Sequence, residues 1–175
     1  MKNNLEQERK WLVKPPTSWS ALSEIFEDLI DICRISQTYL KHDKDEQSPR
    51  VRKTIKGLIG DTGVVYHYNQ KKTISTGVHK EKEYEISSTQ YKNYLKKALP
   101  NKVEVQKTRF VFKFNDQTFE LDIFKGPLRG LAIMEIELKD IKKDKVELPH
   151  FLKVIKEVTG DKKFSNYSLA DKRAK

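Results

Sequence analysis

The chain has 175 residues, enough for one domain with a buried core, which we place at residues 1–175. Its formal net charge of +10 favours anionic ligands and does not choose among nucleotides, polyphosphate, nucleic acid and acidic membrane surfaces. No apolar run approaches the ~20 residues of a membrane span, no signal-peptide pattern follows the start, and Cys33 is the single cysteine. We therefore expect a cytoplasmic protein without membrane contact or a disulfide framework, in which Cys33 is a small core residue.

The first half of the chain predicts strands with short helices between them. Residues 5–13 are predicted to form a strand with a hydrophobic end at Trp11-Leu12-Val13, and its alternating faces would project Glu6, Glu8 and Lys10 from one side. Thr17 or Ser18 can cap a helix whose apolar stripe runs from Trp19 to Ile30, and we expect Trp19 to belong to the core. The other elements predicted before residue 96 are strands at 32–40, 50–56, 64–72 and 80–86, a polar loop at 41–48, and a helix capped by Ser87 or Ser88.

The second half contains the clearest series of strands, predicted at 103–114, 118–124 and 131–138. A last helix is predicted from Pro149 to Gly160, because the apolar residues between them recur at roughly helical spacing. The tail from residue 161 is polar, with three candidate anchors, Phe164, Tyr167 and Leu169.

Charged and apolar residues alternate on nearly every predicted strand, so each strand has one charged face and one apolar face. The signs are segregated by strand. The basic members are Lys10, Arg50, Arg52, Lys71, Lys107 and Arg109. The acidic members are Glu6, Glu8, Glu81, Glu83, Glu85, Glu120, Asp122, Glu135 and Glu137.

Two architectures fit this alternation. In an ordinary antiparallel sheet the charged face lies in water. In a closed barrel the charged face lines the interior and helices cover the apolar exterior, which also removes exposed strand edges. The segregation of charge signs by strand favours the barrel. So do the carboxylates Glu135 and Glu137 between Met134 and Leu138, because placing a carboxylate among apolar residues costs free energy and is expected only where the carboxylate has a function. Six cations do not neutralise nine carboxylates, and all-oxygen ligands would select Mg²⁺ or Mn²⁺ to supply the difference.

Short charged motifs follow one another in an order that resembles a known family. Near the start is an ExExK pattern, Glu6-Gln7-Glu8-Arg9-Lys10. It is followed by Arg50-Val51-Arg52, Glu81-Lys82-Glu83, Lys107-Thr108-Arg109, Glu120-Leu121-Asp122 and Glu135-Ile136-Glu137. In order and spacing, over nearly the whole chain, this set resembles a bacterial-type CYTH domain of the CYTH superfamily, the triphosphate tunnel metalloenzymes.

The resemblance implies an α+β fold, an eight-stranded antiparallel closed β-barrel with a charged interior and flanking helices, which hydrolyses a triphosphate with Mg²⁺ or Mn²⁺. Carried over by position, the metal ligands would be Glu6, Glu8 and Glu137. The phosphate-binding residues would be Lys10, Arg50, Arg52, Lys71, Lys107 and Arg109. The catalytic set would be Glu81, Glu83, Asp122, Glu135 and Lys71, with its carboxylates placing a second metal or the attacking water.

Two positions depart from the family pattern. The strand that commonly reads Thr-x-Lys has Asn69-Gln70-Lys71-Lys72, so that Lys72 competes with Lys71 for the tunnel. Lys80 stands where an arginine is usual. The histidines carry no predicted catalytic role, since His67 lies among tyrosines and the others, His42, His79 and His150, are expected in loops or at element ends.

Three functions remain open at this point. The leading hypothesis is metal-dependent hydrolysis of inorganic tripolyphosphate or a short organic triphosphate. A lyase that cyclises ATP is the second, although no adenine pocket is evident in the sequence. The third is a non-catalytic binder of polyphosphate or RNA, which would have no use for the acidic set, so we do not expect nucleic acid as a partner. The sequence does not predict the oligomeric state.

Overall fold

The computed structural model describes residues 2–41, 49–57 and 63–172, with the side chains described from residue 5 onward. Most of the predicted loop at 41–48 lies outside these residues. The strands are β1 (Lys2–Val13), β2 (Leu29–Tyr39), β3 (Arg50–Lys56), β4 (Gly63–Ser75), β5 (Val78–Ile86), β6 (Val105–Phe114), β7 (Gln117–Phe124), β8 (Ala132–Glu137) and β9 (Val154–Glu157). The α-helices are α1 (Trp19–Glu27), α2 (Ser88–Leu95) and α3 (Asn166–Leu169).

Eight of the strands form a closed antiparallel ring. Their order is β5-β4-β3-β2-β6-β7-β8-β1, and β1 pairs again with β5. The ring closes because β1 is long enough to change partner, pairing with β5 over 2–7 and with β8 over 8–13. Strand β9 joins β1 at Trp11 as a ninth member outside the ring. The predicted eight-stranded barrel is confirmed.

The main apolar core lies outside the ring, as the barrel interpretation predicted. Trp11, Phe112 and Met134 point outward from their strands and are buried against Ile25 of α1 and Leu152. A second apolar cluster lies between the outer face of β3–β5 and α2, and Tyr91 is the residue that α2 buries in it. Outward apolar residues covered by helices leave the inner face of the ring to charged residues.

At one end of the ring the inner face changes from charged to apolar. Tyr39, Val105, Phe124 and Ile133 lie two residues from inner polar or charged residues on their strands, share the same face, and form one buried cluster. The chain's C-terminal part completes the cluster with Leu169 and Ala170, against which Phe164 and Tyr167 pack. The three predicted anchors therefore fix the tail at this end of the barrel.

Two predicted features are wrong. The segment from Pro149 to Gly160 does not form a helix: it contains turns and the four-residue strand β9, whose backbone pairs with β1. Trp19 is 81% exposed, and α1 instead buries Ala21 and Ile25. Helix α1 also ends at Glu27, before the predicted end of its apolar stripe at Ile30. The last residues of that stripe belong to β2, which begins at Leu29.

Caps and turns explain several element boundaries. Ser18 caps α1 by accepting a hydrogen bond from the amide of Ala21. Ser87 and Gln90 form a reciprocal capping box at the start of α2. Among the described residues, no helix is long and apolar enough to cross a membrane.

Candidate active site

A cavity of about 840 Å³ lies inside the ring and collects the charged inner face. Every predicted site residue except Asp122 lines it. These residues are Glu6, Glu8, Lys10, Arg50, Arg52, Lys71, Glu81, Glu83, Lys107, Arg109, Glu135 and Glu137. These residues come from six strands, and Gln37 of β2 and Glu120 of β7 also line the cavity, because every second side chain of a strand points to the same side of a sheet.

Strands β3 and β5 contribute two parallel ion pairs across β4. Arg50 lies 3.1 Å from Glu81, and Arg52 lies 3.0 Å from Glu83. Asn69, between them on β4, donates hydrogen bonds to both carboxylates. The Nε atoms of both arginines are buried and have no hydrogen-bond partner among the described residues. Each guanidinium therefore keeps a donor for a ligand oxygen.

Lys71, not Lys72, faces the cavity. Its Nζ lies 2.6 Å from Glu6 and 3.0 Å from Glu8, whereas Lys72 is exposed. Lys71 thereby links β4 to β1 across the space between them. The choice that the sequence left open is settled by the alternation of faces along β4.

Asp122 lies behind the cavity wall and organises the cations of β6. The Nε and NH2 atoms of Arg109 each donate to Asp122 at 2.7 Å, and Lys107 also contacts this carboxylate. Burial would raise the pKa of Asp122, but the charges of Arg109 and Lys107 lower it well below its usual range. Arg109 also contacts Glu120 and lies 3.4 Å from Glu135. The prediction that Asp122 faces the ligand is corrected in this respect.

Lys10 joins two strands of the acidic side. Its Nζ lies 2.9 Å from Glu135, its direct partner across the β1–β8 pairing, and 3.1 Å from Glu8. Burial lowers the pKa of Lys10, but the two carboxylates raise it by more. Burial likewise raises the pKa of Glu135 and the charge of Lys10 lowers it, with the net direction downward. Both groups are therefore ionised at neutral pH.

Glu8 is the most enclosed carboxylate of β1, with 4% of its surface exposed. Lys10, Lys71 and His79 surround it at 3.1, 3.0 and 3.1 Å. Burial would raise the pKa of Glu8, whereas the hydrogen bond from His79 and the two lysine charges lower it strongly. His79, which was expected in a loop, lies on β5 and lines the cavity.

Glu137 differs from its neighbours because no cation among the described residues lies within ion-pair distance of it. It is the direct cross-strand partner of Glu8. Burial raises the pKa of Glu137 to about 7, together with the negative charges of nearby carboxylates, foremost Glu6 and Glu120. A carboxylate held among carboxylates is unfavourable unless a cation joins them.

The acidic side has the donor chemistry for a hard divalent cation. Glu6, Glu8 and Glu137 offer carboxylate oxygens, which Mg²⁺ and Mn²⁺ prefer; β-sheet register pairs Glu8 with Glu137, and Glu6 is the next residue on the same face of β1. Their side chains are not assembled around a metal position: no group of three or more His, Cys, Asp or Glu in the described residues is arranged to hold an ion. Glu6 and Glu8 point to lysines instead. The residues fit a divalent cation by chemistry and register.

The interior charge is closer to balance than the sequence suggested. Glu85 is exposed at the end of β5 and does not line the cavity. Asp161 and Lys162, which had no predicted role, line it with opposite charges. Eight of the nine predicted carboxylates therefore remain inside against the six predicted cations, with Asp122 counted through its contacts to Lys107 and Arg109.

Sequence reasoning missed several polar residues of the wall. Gln37 lines the cavity and donates to the hydroxyl of Tyr39 at 2.8 Å. Both alternate on β2 with outward residues, so parity with the cations of β3 could have identified them. Residues 158–168 form part of the wall through the turn after β9, where Thr159 accepts a hydrogen bond from the amide of Lys10. Their spacing carries no such signal, because they lie in turns and short helical segments rather than in a strand.

Comparison with known proteins gives the same architecture. No family model matches the chain. An inorganic triphosphatase from Acetivibrio thermocellus is 37% identical over 137 residues, which cover 76% of this chain and 77% of the relative. The structure of the inorganic triphosphatase NE1496 aligns over 94% of this chain and 93% of its own, with 26% identity and a TM-score of 0.57.

A more distant structure shares the fold alone. HpAC1 from Hippeastrum, for which a dominant triphosphatase activity is stated, aligns with a TM-score of 0.54 and 14% identity over 79% of this chain and 81% of its own. The curated relative, by contrast, combines substantial identity with coverage of most of both chains, and the closed ring with its charged interior agrees with it. The chain belongs to the CYTH superfamily, the triphosphate tunnel metalloenzymes.

Proposed function

We propose that this protein hydrolyses a triphosphate, either inorganic tripolyphosphate or a short triphosphate-bearing organic compound, and releases phosphate with the help of Mg²⁺ or Mn²⁺. The observation that carries the proposal is the single tunnel in which six predicted cations and a carboxylate-rich wall face each other. The relatives named inorganic triphosphatases support the same reaction class.

The cations of the tunnel would bind the phosphate chain. In the free protein they contact carboxylates, and phosphate oxygens would replace some of these contacts on binding. The unpartnered Nε atoms of Arg50 and Arg52 would donate to the same oxygens. Lys10, Lys71, Lys107 and Arg109 would add charge along the tunnel, with Asp122 fixing the direction of the last two.

The carboxylates Glu6, Glu8 and Glu137 would hold the divalent cation. When bound, such a cation neutralises phosphate charge and makes a water molecule a better nucleophile. Glu81, Glu83 and Glu135 would complete the acidic side and orient the attacking water or hold a second cation. In the free protein these three carboxylates are held by Arg50, Arg52 and Lys10.

Phosphoryl transfer of this kind needs little covalent chemistry from the protein. The negative charge that spreads over the transferred group must be stabilised, and the attacking and leaving oxygens must stand in line. Fixed arginine and lysine side chains supply the first requirement without rearranging during the reaction. Cations on several strands of the ring would supply the second by holding the phosphates from more than one side.

A substrate panel tests this proposal. Purified protein is incubated with tripolyphosphate, thiamine triphosphate or ATP, with Mg²⁺, Mn²⁺ or a chelator, and the products are identified. We expect metal-dependent release of phosphate from at least one triphosphate. Cyclic AMP and pyrophosphate from ATP would instead indicate the lyase, and tight binding of tripolyphosphate that survives the chelator without turnover would indicate a non-catalytic binder.

A further inference from the structure

His79 is placed to act on Glu8 although the charged motifs of the sequence do not include it. On one side its backbone is the register partner of Glu6 in β1, and on the other it is the partner of Thr73 in β4. Its Nε2 lies 3.1 Å from Oε1 of Glu8, and its Nδ1 lies 3.2 Å from the hydroxyl of Thr73. The imidazole thus connects the rim of the tunnel to the central carboxylate of β1.

The contacts of Glu8 are unevenly divided between its two oxygens. Lys10, Lys71 and His79 all contact Oε1. Within the described part of the chain, no hydrogen-bond donor contacts Oε2, and this atom is not among the buried atoms without a partner. The three contacts therefore fix the rotation of the carboxylate and leave its second oxygen available to the cavity.

Thr73 explains how a neutral histidine can supply its contact. In the neutral tautomer that carries its ring proton on Nε2, Nδ1 is an acceptor and can receive a hydrogen bond from the Thr73 hydroxyl 3.2 Å away. Nε2–H is the donor that Oε1 of Glu8 requires. A neutral donor orients the carboxylate without adding a third full positive charge next to it, which would repel a cation bound at Oε2.

The turn between β4 and β5 holds the hairpin, and with it His79, at a fixed position relative to β1. The amide of Glu8 donates to the carbonyl of Gly77 at 2.8 Å, at the point where β1 changes its pairing partner. Gly77 has φ of +69°, and a Cβ there would meet the Glu8 carbonyl oxygen at 2.6 Å and the side chain of Ile141. Glycine permits this close approach, so the hairpin that carries Thr73 and His79 is attached to the main chain of Glu8 itself.

We propose that His79, oriented by Thr73, is a positioning residue that holds Oε1 of Glu8 and thereby presents Oε2 to the divalent cation of the tunnel. This inference rests on the proposed function for the identity of the cation. It assigns His79 no proton transfer and no direct contact with substrate. Partners of this kind that orient a ligand typically change metal affinity or activity by about 10- to 100-fold when removed.

The test measures the binding of Mn²⁺ to the free protein by calorimetry, alongside tripolyphosphate hydrolysis at varied Mn²⁺. His79→Phe keeps the ring volume and removes the N–H donor, whereas His79→Gln keeps an N–H donor at a similar reach. Thr73→Val and Thr73→Ser form a matched pair at the exposed rim. His150→Phe is the control, because His150 lies away from the tunnel and contacts the rings of Phe114 and Phe151.

We expect His79→Phe to weaken Mn²⁺ binding by about tenfold and to raise the Mn²⁺ concentration that gives half-maximal hydrolysis by a similar factor. His79→Gln should recover most of this affinity, and His150→Phe should match the wild type. Thr73→Val should lose about two- to fivefold, the value of one modest hydrogen bond, and Thr73→Ser should lose less. The Thr73 pair decides the question if His79→Phe does not fold.

Two results would overturn the inference. One is a Mn²⁺ affinity of His79→Phe equal to that of the wild type, or, where His79→Phe does not fold, the same result for Thr73→Val. The other is an equal loss in His79→Gln and His79→Phe, because the N–H donor that glutamine retains would then not be what supports Mn²⁺ binding. The proposed function fails separately, when wild-type protein binds Mn²⁺ with the predicted dependence on His79 and still hydrolyses no triphosphate.

Discussion

Glu8 and Glu137 are direct partners across the antiparallel pairing of β1 and β8, and both side chains line the tunnel. Lys10, Lys71 and His79 surround Glu8, whereas Glu137 has no cation within ion-pair distance in the described part of the chain. Two adjacent carboxylates, of which only Glu8 has cations beside it, lower the stability of the free protein. The same arrangement is what a divalent cation would stabilise.

Glu137→Gln should therefore have effects of opposite sign with and without metal. In chelator the substitution should raise the free energy of unfolding, by less than about 1 kcal/mol because the group is partly exposed. With Mn²⁺ it should remove most of the stabilisation that the metal gives the wild type. Glu85→Gln, at an exposed position outside the tunnel, should change neither value. Thermal unfolding with and without Mn²⁺ measures both, and a loss of stability in chelator would contradict the account.

The increase in the free energy of unfolding that Glu137→Gln gives in chelator should also depend on pH. The pKa of Glu137 rises on folding from 4.5 to about 7, so between these values the folded state binds more protons than the unfolded state. Wild-type stability should then fall as pH rises through this window. The advantage of Glu137→Gln should be full above pH 7 and vanish towards pH 4.5. An advantage that is independent of pH would mean that charge is not its cause.

The alternation along β4 predicts different roles for two adjacent lysines. Lys71→Gln removes a cation that contacts Glu6 and Glu8, and we expect hydrolysis of tripolyphosphate to fall on the order of 10²-fold, as for loss of one preorganised charge-stabilising group. Lys72→Gln makes the same chemical change at an exposed position and should leave the rate within about twofold, since a charge in open solvent is well screened. Initial rates at saturating metal measure both. Equal losses in the two variants would show that overall charge, not tunnel position, controls the rate.

Asp122 should matter for stability as well as for activity. Asp122→Asn keeps the shape of the side chain but leaves Lys107 and Arg109 without their buried countercharge, which typically costs about 3–5 kcal/mol. Urea unfolding at pH 7 measures this loss. A variant as stable as the wild type would show that the two cations find other partners.

The stability difference for Asp122→Asn has its own pH dependence. The folded-state pKa of Asp122 is lowered from its ordinary value of 3.8, because the charges of Arg109 and Lys107 outweigh burial. Its stabilising contribution is therefore full above that value and is lost as pH falls below it. The difference between wild type and Asp122→Asn should shrink on acidification below about pH 4. On acidification the wild type thus loses stability relative to Asp122→Asn, whereas it gains stability relative to Glu137→Gln.

The ring and most of its charged wall could be predicted because they depend on a two-residue period. Where the charged residues of a Glu-x-Glu or Arg-x-Arg pattern alternate with apolar residues along a strand, the charged residues must share one face and the apolar residues the other. Strand β3 begins and ends where the pattern placed it, at Arg50 and Lys56. The burial of Trp11 outside the ring followed from the same parity, because it lies next to Lys10 on β1.

The errors occurred where tertiary contacts override local pattern. Strand β9 has four residues, too few to separate a period of two from a period of 3.6, and its position depends on the free edge of β1 at Trp11. Trp19 lies at the exposed start of α1, and Ile25 takes the core position. His79 looked like a loop residue because β4 and β5 run closer to the turn at Gly77 than predicted, to Ser75 and from Val78 instead of to 72 and from 80.

Hydrolysis of tripolyphosphate by wild type and Glu8→Gln, with Mn²⁺ or Mg²⁺ and with chelator, tests the central claim most directly. The substitution keeps the size of the side chain and removes the charge that Lys10 and Lys71 surround. The account predicts metal-dependent phosphate release by the wild type and a loss on the order of 10²-fold or more in Glu8→Gln. No phosphate release by the wild type with either metal, or equal rates for the two proteins, would contradict it.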